Sequence, residues 1–440
     1  MSKLLPLLII TLALGRCGAV AADACAVVPD LPVPTSTVHV NSFGAIPDDA
    51  GDDTAAIERA LRALQSGQRL TLGPGRYLLG RSVFVRTAGA QIVGEGARIH
   101  ATNPDSQALI VQADGVWITG LRFTAVTDGR RTAPWHSRIA VYLETSGVVQ
   151  PVRGVRIVGN TIAPDGAAPA AERAAGSAGG IMLLRAVDFV VAANTVARTL
   201  ADGIHITAGS RDGRVVGNIV RENGDDMIAV VSYAGRGPAA LNTADMLGDL
   251  VARRRAQLVQ NVLIAGNDVQ GQYWGRGITV VGGRDITIRG NRIDNTPLGA
   301  GILVAREHNY ETFGVSNVLV AGNAISRVQT DRSPFDPDGT FGTRGRTGHG
   351  AIEVHASLFA DEAADADLRP ELAVRDVAFI SNTISGAAIP GARLGVPFAG
   401  HEEAQGPAGP VRRAVVTGDI SGVTMGPSTA VTGARLPCMD

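Results

Sequence analysis

Short apolar runs of three to five residues, rich in Val and Ile, recur through the middle of the chain with Gly and Asn between them. One phrase repeats from Gly179 to Ala305: Gly180-Ile181-Met182-Leu183, Gly203-Ile204-His205-Ile206, Met227-Ile228-Ala229-Val230, Gly277-Ile278-Thr279-Val280 and Gly301-Ile302-Leu303-Val304. Ile181 and Ile204 are 23 residues apart, Ile204 and Ile228 are 24 apart, and Ile278 and Ile302 are again 24 apart. A second phrase is interleaved, an Asn usually after Gly and before a β-rich run, at Asn160, Asn194, Asn218, Asn267, Asn291, Asn323 and Asn382. The runs are too short for helices and suit strands. A fixed period in the low twenties marks a solenoid. One coil cannot bury its own apolar face, so coils stack and share a core. The expected fold is all-β: a single-stranded right-handed parallel β-helix with an N-terminal capping helix.

Stacking turns spacing into geometry. Equivalent residues on successive coils lie one strand spacing apart, roughly 4.8 Å. The position two before each aligned Ile therefore forms a column on the outer wall, holding Gly179, Asp202, Asp226, Arg276 and Ala300, with Asp225 beside Asp226. Carboxylates on neighbouring coils repel, so a chance gathering is disfavoured. Strand alternation puts His205 outward between the inward Ile204 and Ile206. The same alternation puts Glu353 and His355 on that outer face, further along it. Tyr233, Tyr273 and Trp274 are candidate platforms for a sugar ring.

Length alone allows two or three domains in 440 residues, but the repeat argues for one elongated domain over residues 25–440. Abundant glycine (55) and scarce aromatics (4%) suit a turn-rich solenoid with an aliphatic core. A net charge of −1 leaves no basic footprint for nucleic acid. Residues 1–24 read as a secretory signal peptide: Lys3, an apolar run from Leu4 to Leu14, then Ala19-Val20-Ala21 and Ala22-Asp23-Ala24. About eleven apolar residues are too few to span a membrane, so a secreted or periplasmic protein without a membrane partner is expected. Cys17 falls in the leader; Cys25 and Cys438 remain, either paired or as two thiols.

The cap is expected over residues 38–80. Asp53 or Thr54 is placed to cap a helix running through Ala55-Ala56-Ile57-Glu58-Arg59-Ala60-Leu61. Asp52 and Asp53 read better as helix-capping groups than as metal ligands. Residues 234–260 form an insertion directly after the Asp-bearing coil, with helical spacing and the run Arg253-Arg254-Arg255. Residues 329–348 form a long polar loop, a length usually found where loops are functional.

Two stretches carry a family likeness. Phe43-Gly44-Ala45, Asp52-Asp53-Thr54 with the helix after it, and Pro74-Gly75-Arg76-Tyr77 resemble the opening of the pectate-lyase-like superfamily. Ala201-Asp202-Gly203-Ile204-His205-Ile206 and, one coil on, Gly224-Asp225-Asp226-Met227-Ile228-Ala229-Val230 resemble the polygalacturonase-like glycoside hydrolases of family twenty-eight. That resemblance implies that Asp202, Asp225 and Asp226 are catalytic carboxylates, one of the Asp225/Asp226 pair being the acid. The chemistry agrees: inverting glycosidases need one protonated carboxyl for the leaving oxygen and another carboxylate to activate water, and crowding raises a carboxyl pKa. The chain departs from the family where Arg276 stands for a His. It departs again where Leu303 and Ala305 stand for an Arg and a Lys that bind a uronate, with Arg306 just beyond. Arg276 is thus a candidate site residue, either for an anionic sugar or as a partner of Asp226.

Three functions follow as expectations. The first is a glycoside hydrolase acting on a polysaccharide and needing no cofactor. The second is a polysaccharide lyase or epimerase, with Asp202 and Asp226 holding Ca²⁺ against a uronate and Arg276 as base. The third is a non-catalytic glycan-binding solenoid.

Overall fold

The computed structural model describes residues 30–104, 106, 108–127, 137–146, 148–164, 176, 178–234, 258–271, 275–329, 347–358, 372–387, 391–394, 411–417 and 423–425. The leader 1–24, Cys25, Cys438, Tyr273, Trp274, most of the insertion 234–260 and most of the loop 329–348 lie outside these residues.

Described strands form three long parallel sheets, of fourteen, ten and eleven strands, and one two-stranded hairpin. The chain visits the three sheets in turn, as in Arg69–Leu72, Gly75–Leu79 and Val83–Val85, and returns to the first at Gln91–Gly94. This is a parallel β-helix, as the repeat predicts. Its third sheet holds the aligned phrase in the expected register: Ile139, Ile181, Ile204, Ile228, Ile278, Ile302 and Ile352 are successive partners. All are at most 1% exposed and lie in one aliphatic core. Burying such a side chain contributes about 1.5–3 kcal/mol, so the stacked Ile file is a large part of what closes the coils.

The Gly before most of these Ile residues has a steric cause. A Cβ on Gly180 would lie 2.6 Å from the Gly203 carbonyl oxygen, one on Gly203 2.5 Å from that of Met227, and one on Gly277 2.4 Å from that of Gly301. The corner into the third sheet is therefore too tight for a side chain aimed at the next coil. Gly203→Ala is expected to destabilise the protein by about 1–3 kcal/mol through overpacking, read as a lower urea midpoint.

The interleaved Asn residues are buried to within 1% and form one continuous ladder from Asn160 to Asn382. Asn218 shows the unit. Its Nδ2 donates to Asn267 Oδ1 at 3.0 Å and to the Val191 carbonyl at 2.9 Å, and its Oδ1 accepts the backbone and side-chain N–H groups of Asn194, both at 3.0 Å. Buried amides satisfied in this way stabilise; unsatisfied, each would be costly.

The helix Thr54–Ala63 covers the start of the solenoid with Ala56, Ile57, Ala60 and Leu61 inward. Of the two acids expected to cap it, Asp52 does so, receiving the Thr54 N–H at 2.8 Å and the Thr54 hydroxyl. Asp53 instead accepts the Ile46 and Leu78 N–H groups, both at 2.9 Å, and so stitches the cap to the first coil. A second difference follows Ile139–Val141, where Leu143–Thr145 and Val148–Gln150 leave the coil as an antiparallel hairpin. No helix among the described residues is long and apolar enough to cross a membrane.

Candidate active site

Asp202, Asp226 and Arg276 occupy the corner before three consecutive third-sheet strands, Ile204–Thr207, Ile228–Val231 and Ile278–Val281. Each coil hands a donor to the one before it. The Asp226 N–H donates to Asp202 Oδ1 at 3.0 Å, and the Arg276 N–H donates to Asp226 Oδ1 at 2.8 Å. The same stacking that aligns the core thus aligns the acids. Asp225 lies beside them and is partly exposed, and all three carboxyl groups offer oxygens within 4.8 Å of one another.

Arg276 is committed within the protein. Its Nη2 is ion-paired with Glu307 and its Nη1 lies 3.6 Å from Asp226 Oδ1. Glu307 was not foreseen. It follows the strand Ile302–Arg306 on a turn closed by Thr312, whose hydroxyl accepts the Glu307 N–H at 3.0 Å. Its sequence signal is three consecutive ionisable residues, Arg306-Glu307-His308, after an apolar run.

His205 points outward, as expected, and its Nδ1 lies 2.5 Å from Asp202 Oδ2. Burial is the main force on Asp226: it pushes the carboxyl well above its ordinary value of 3.8. The Arg276 guanidinium opposes this shift, and the charges of Asp225 and Asp202 add to it. Asp226 is thus biased towards its neutral form.

The remaining candidates sit differently. Arg306 does not reach the outer wall; it is 1% exposed and its guanidinium donates to the carbonyls of Thr312, at 3.1 Å, and Ser357. It braces the turn that carries Glu307. Tyr233 is half-buried against Val149, Met182 and Leu184, at the edge of the same face. Glu353 and His355 do share the outer face with His205. Register runs His205, Ala229, Thr279, Leu303, Glu353, four coils along. Glu353 is fully buried, accepting the Gly350 N–H at 2.9 Å and facing Arg393 Nε at 3.2 Å, while His355 stacks on His349.

A cation is the alternative occupant of the acid cluster. Calcium takes six to eight oxygens at about 2.3–2.6 Å, and the 4.8 Å spread of the three carboxylates is within its reach. Within that cluster one Asp202 oxygen accepts the Asp226 N–H and the other faces His205 Nδ1.

The stacked coils and their parallel sheets define the pectate-lyase-like class of parallel β-helix, here with a row of acids along the outer wall. The family model for rhamnogalacturonase A/epimerase, pectate lyase-like, matches residues 37–303, and the chain belongs to that family. Solved structures share the fold at low identity. The A-module of the Azotobacter vinelandii mannuronan C-5 epimerase AlgE4 is 16% identical with a TM-score of 0.55, over 90% of this chain and 100% of that one. The DFA-IIIase of Arthrobacter chlorophenolicus A6 is 13% identical with a TM-score of 0.55, over 90% and 93%. The family 28 exopolygalacturonase of Yersinia enterocolitica is 14% identical with a TM-score of 0.50, over 92% and 79%. A comparison with curated proteins gives no match.

Proposed function

We propose that the protein hydrolyses a glycosidic bond within a polysaccharide, with Asp226 as general acid and water activated from the Asp202 side. The supporting observation is the division of labour within one cluster. Asp226 is buried beside two other acids, which raises its carboxyl well above the ordinary range, while Asp202 accepts the Asp226 N–H and faces His205 Nδ1. A protonated carboxyl is the acid an inverting glycosidase needs, and water is then activated by a base on the Asp202 side. Asp225, nearer solvent, favours the proton on Asp226 by its charge. Glu307 fixes Arg276, which limits how far Asp226 is driven towards ionisation. An exported protein, expected from the leader, is in keeping with a polymeric substrate.

The test is product analysis over rhamnogalacturonan, polygalacturonan and alginate, with and without EDTA. New reducing ends at an EDTA-independent rate are expected. Unsaturated products absorbing in the near ultraviolet, formed only without EDTA, would replace this reading with a calcium-dependent lyase. C-5 inversion without chain cleavage would replace it with an epimerase.

A further inference from the structure

Three facts converge on His205. Its Nδ1 faces Asp202 Oδ2 at 2.5 Å, so the ring is held by one carboxylate oxygen. The other Asp202 oxygen accepts the Asp226 N–H. The second ring nitrogen, Nε2, is buried without a hydrogen-bond partner among the described residues, on a side chain only 8% exposed. A buried polar atom left unmatched costs about 1–3 kcal/mol, and such an atom calls for a function. Its neighbours along the column are Met182 on one side and the small Ala229 on the other, and neither supplies a polar group.

We infer that His205 is the general base of the reaction, acting through Nε2, and that Asp202 is its positioning residue. The inference rests on the hydrolase reading above. Asp202 accepts from Nδ1–H, which leaves the Nε2 lone pair free to take a proton; this is the logic of a base oriented by a third group. Spacing supports it. Inverting enzymes hold acid and base about 6.5–9.5 Å apart to admit a water, whereas the three acids crowd within 4.8 Å. The imidazole carries the basic atom a ring's width away from Asp202.

The step balances as follows. Nε2 takes a proton from water as the water oxygen bonds the anomeric carbon. The bond from that carbon to the glycosidic oxygen breaks, its electron pair stays on the leaving oxygen, and Asp226 protonates that oxygen. The products are an inverted hemiacetal and a free hydroxyl. The imidazolium proton then returns through solvent to Asp226.

The experiment compares three variants. His205→Asn retains a side-chain N–H for Asp202 but has no Nε2, and kcat is expected to fall about 10²–10³-fold with KM little changed. His205→Gly is expected to recover at least about tenfold with added imidazole, a gain that a purely structural histidine would not give. Product NMR should show inversion at the anomeric carbon. Nitrogen NMR of the resting enzyme should show Nδ1 protonated and Nε2 bare, a readout that needs no substrate and no folded variant. Near-wild-type turnover by His205→Asn, absence of imidazole rescue, retention at the anomeric carbon or a protonated Nε2 would each overturn the assignment. Asp226→Asn separates the two levels. If it too keeps full turnover, the hydrolase reading itself fails; if it is inactive while His205→Asn is active, only the role of His205 falls.

Discussion

Asp226→Asn is expected to lower kcat by about 10²–10⁴-fold, the range associated with a lost general acid, with KM within a few-fold of wild type. The substitution is close to isosteric. Its Oδ1 still receives the Arg276 N–H, so the stacking of the three coils should survive. The fold and the reaction should respond in opposite directions. In the native state the Asp226 carboxyl titrates well above 3.8, its ordinary value. The folded form thus binds more protons than the unfolded form from about that pH up to the native value. The stability Asp226 contributes is therefore present on the acid side and lost as pH rises through its native pKa. Asparagine carries no charge to bury, so the variant should melt about 1–3 °C higher than wild type on the alkaline side. Wild-type turnover should fall over the same interval as Asp226 loses its proton. A pH series of kcat and melting temperature checks both. A variant that melts lower at every pH would show that the ionised pair with Arg276 outweighs the burial penalty.

Asn218→Leu is expected to cost about 3–5 kcal/mol, a large share of the 5–15 kcal/mol by which proteins are typically stable. Leucine keeps the branched shape but ends in bulkier methyl groups, so overpacking adds to the lost hydrogen bonding. Removing this one amide strips partners from both polar groups of Asn194 that it served and from the Val191 carbonyl, and it breaks the link to Asn267. None of these groups can turn to water, because the ladder is sealed inside the solenoid. A fall in the denaturant midpoint without a change in slope would report this. A change below about 1 kcal/mol would mean that ordered water replaces the side chain.

The register of the coils is legible in the sequence because one coil contributes one residue to each vertical position. The aligned Ile residues and the Asn file therefore repeat at a visible spacing, and both pairings are met. The acid row is legible for the same reason: Asp202, Asp226 and Arg276 keep a fixed offset from Ile204, Ile228 and Ile278. Features that depend on contacts between non-equivalent positions are not legible. Glu307 reaches Arg276 only because a turn closed by Thr312 and braced by Arg306 folds it back, and no periodicity encodes that. The partners of Arg306 are hidden for the same reason, since at the end of a strand alternation does not reveal which carbonyls its guanidinium will meet. Outward placement of His205 followed from alternation, but its bond to Asp202 did not, because that bond depends on side-chain conformation across a corner.

The Asn ladder has a consequence for how this scaffold can be altered. Its links join residues 24, 49, 32 and 59 positions apart, yet the backbone N–H to Oδ1 distance stays between 2.9 and 3.0 Å. The spine is thus indifferent to how much chain is spooled out between one rung and the next. Segments of different length can be spliced in at the bends as interchangeable cassettes while the column of acids behind them stays in place.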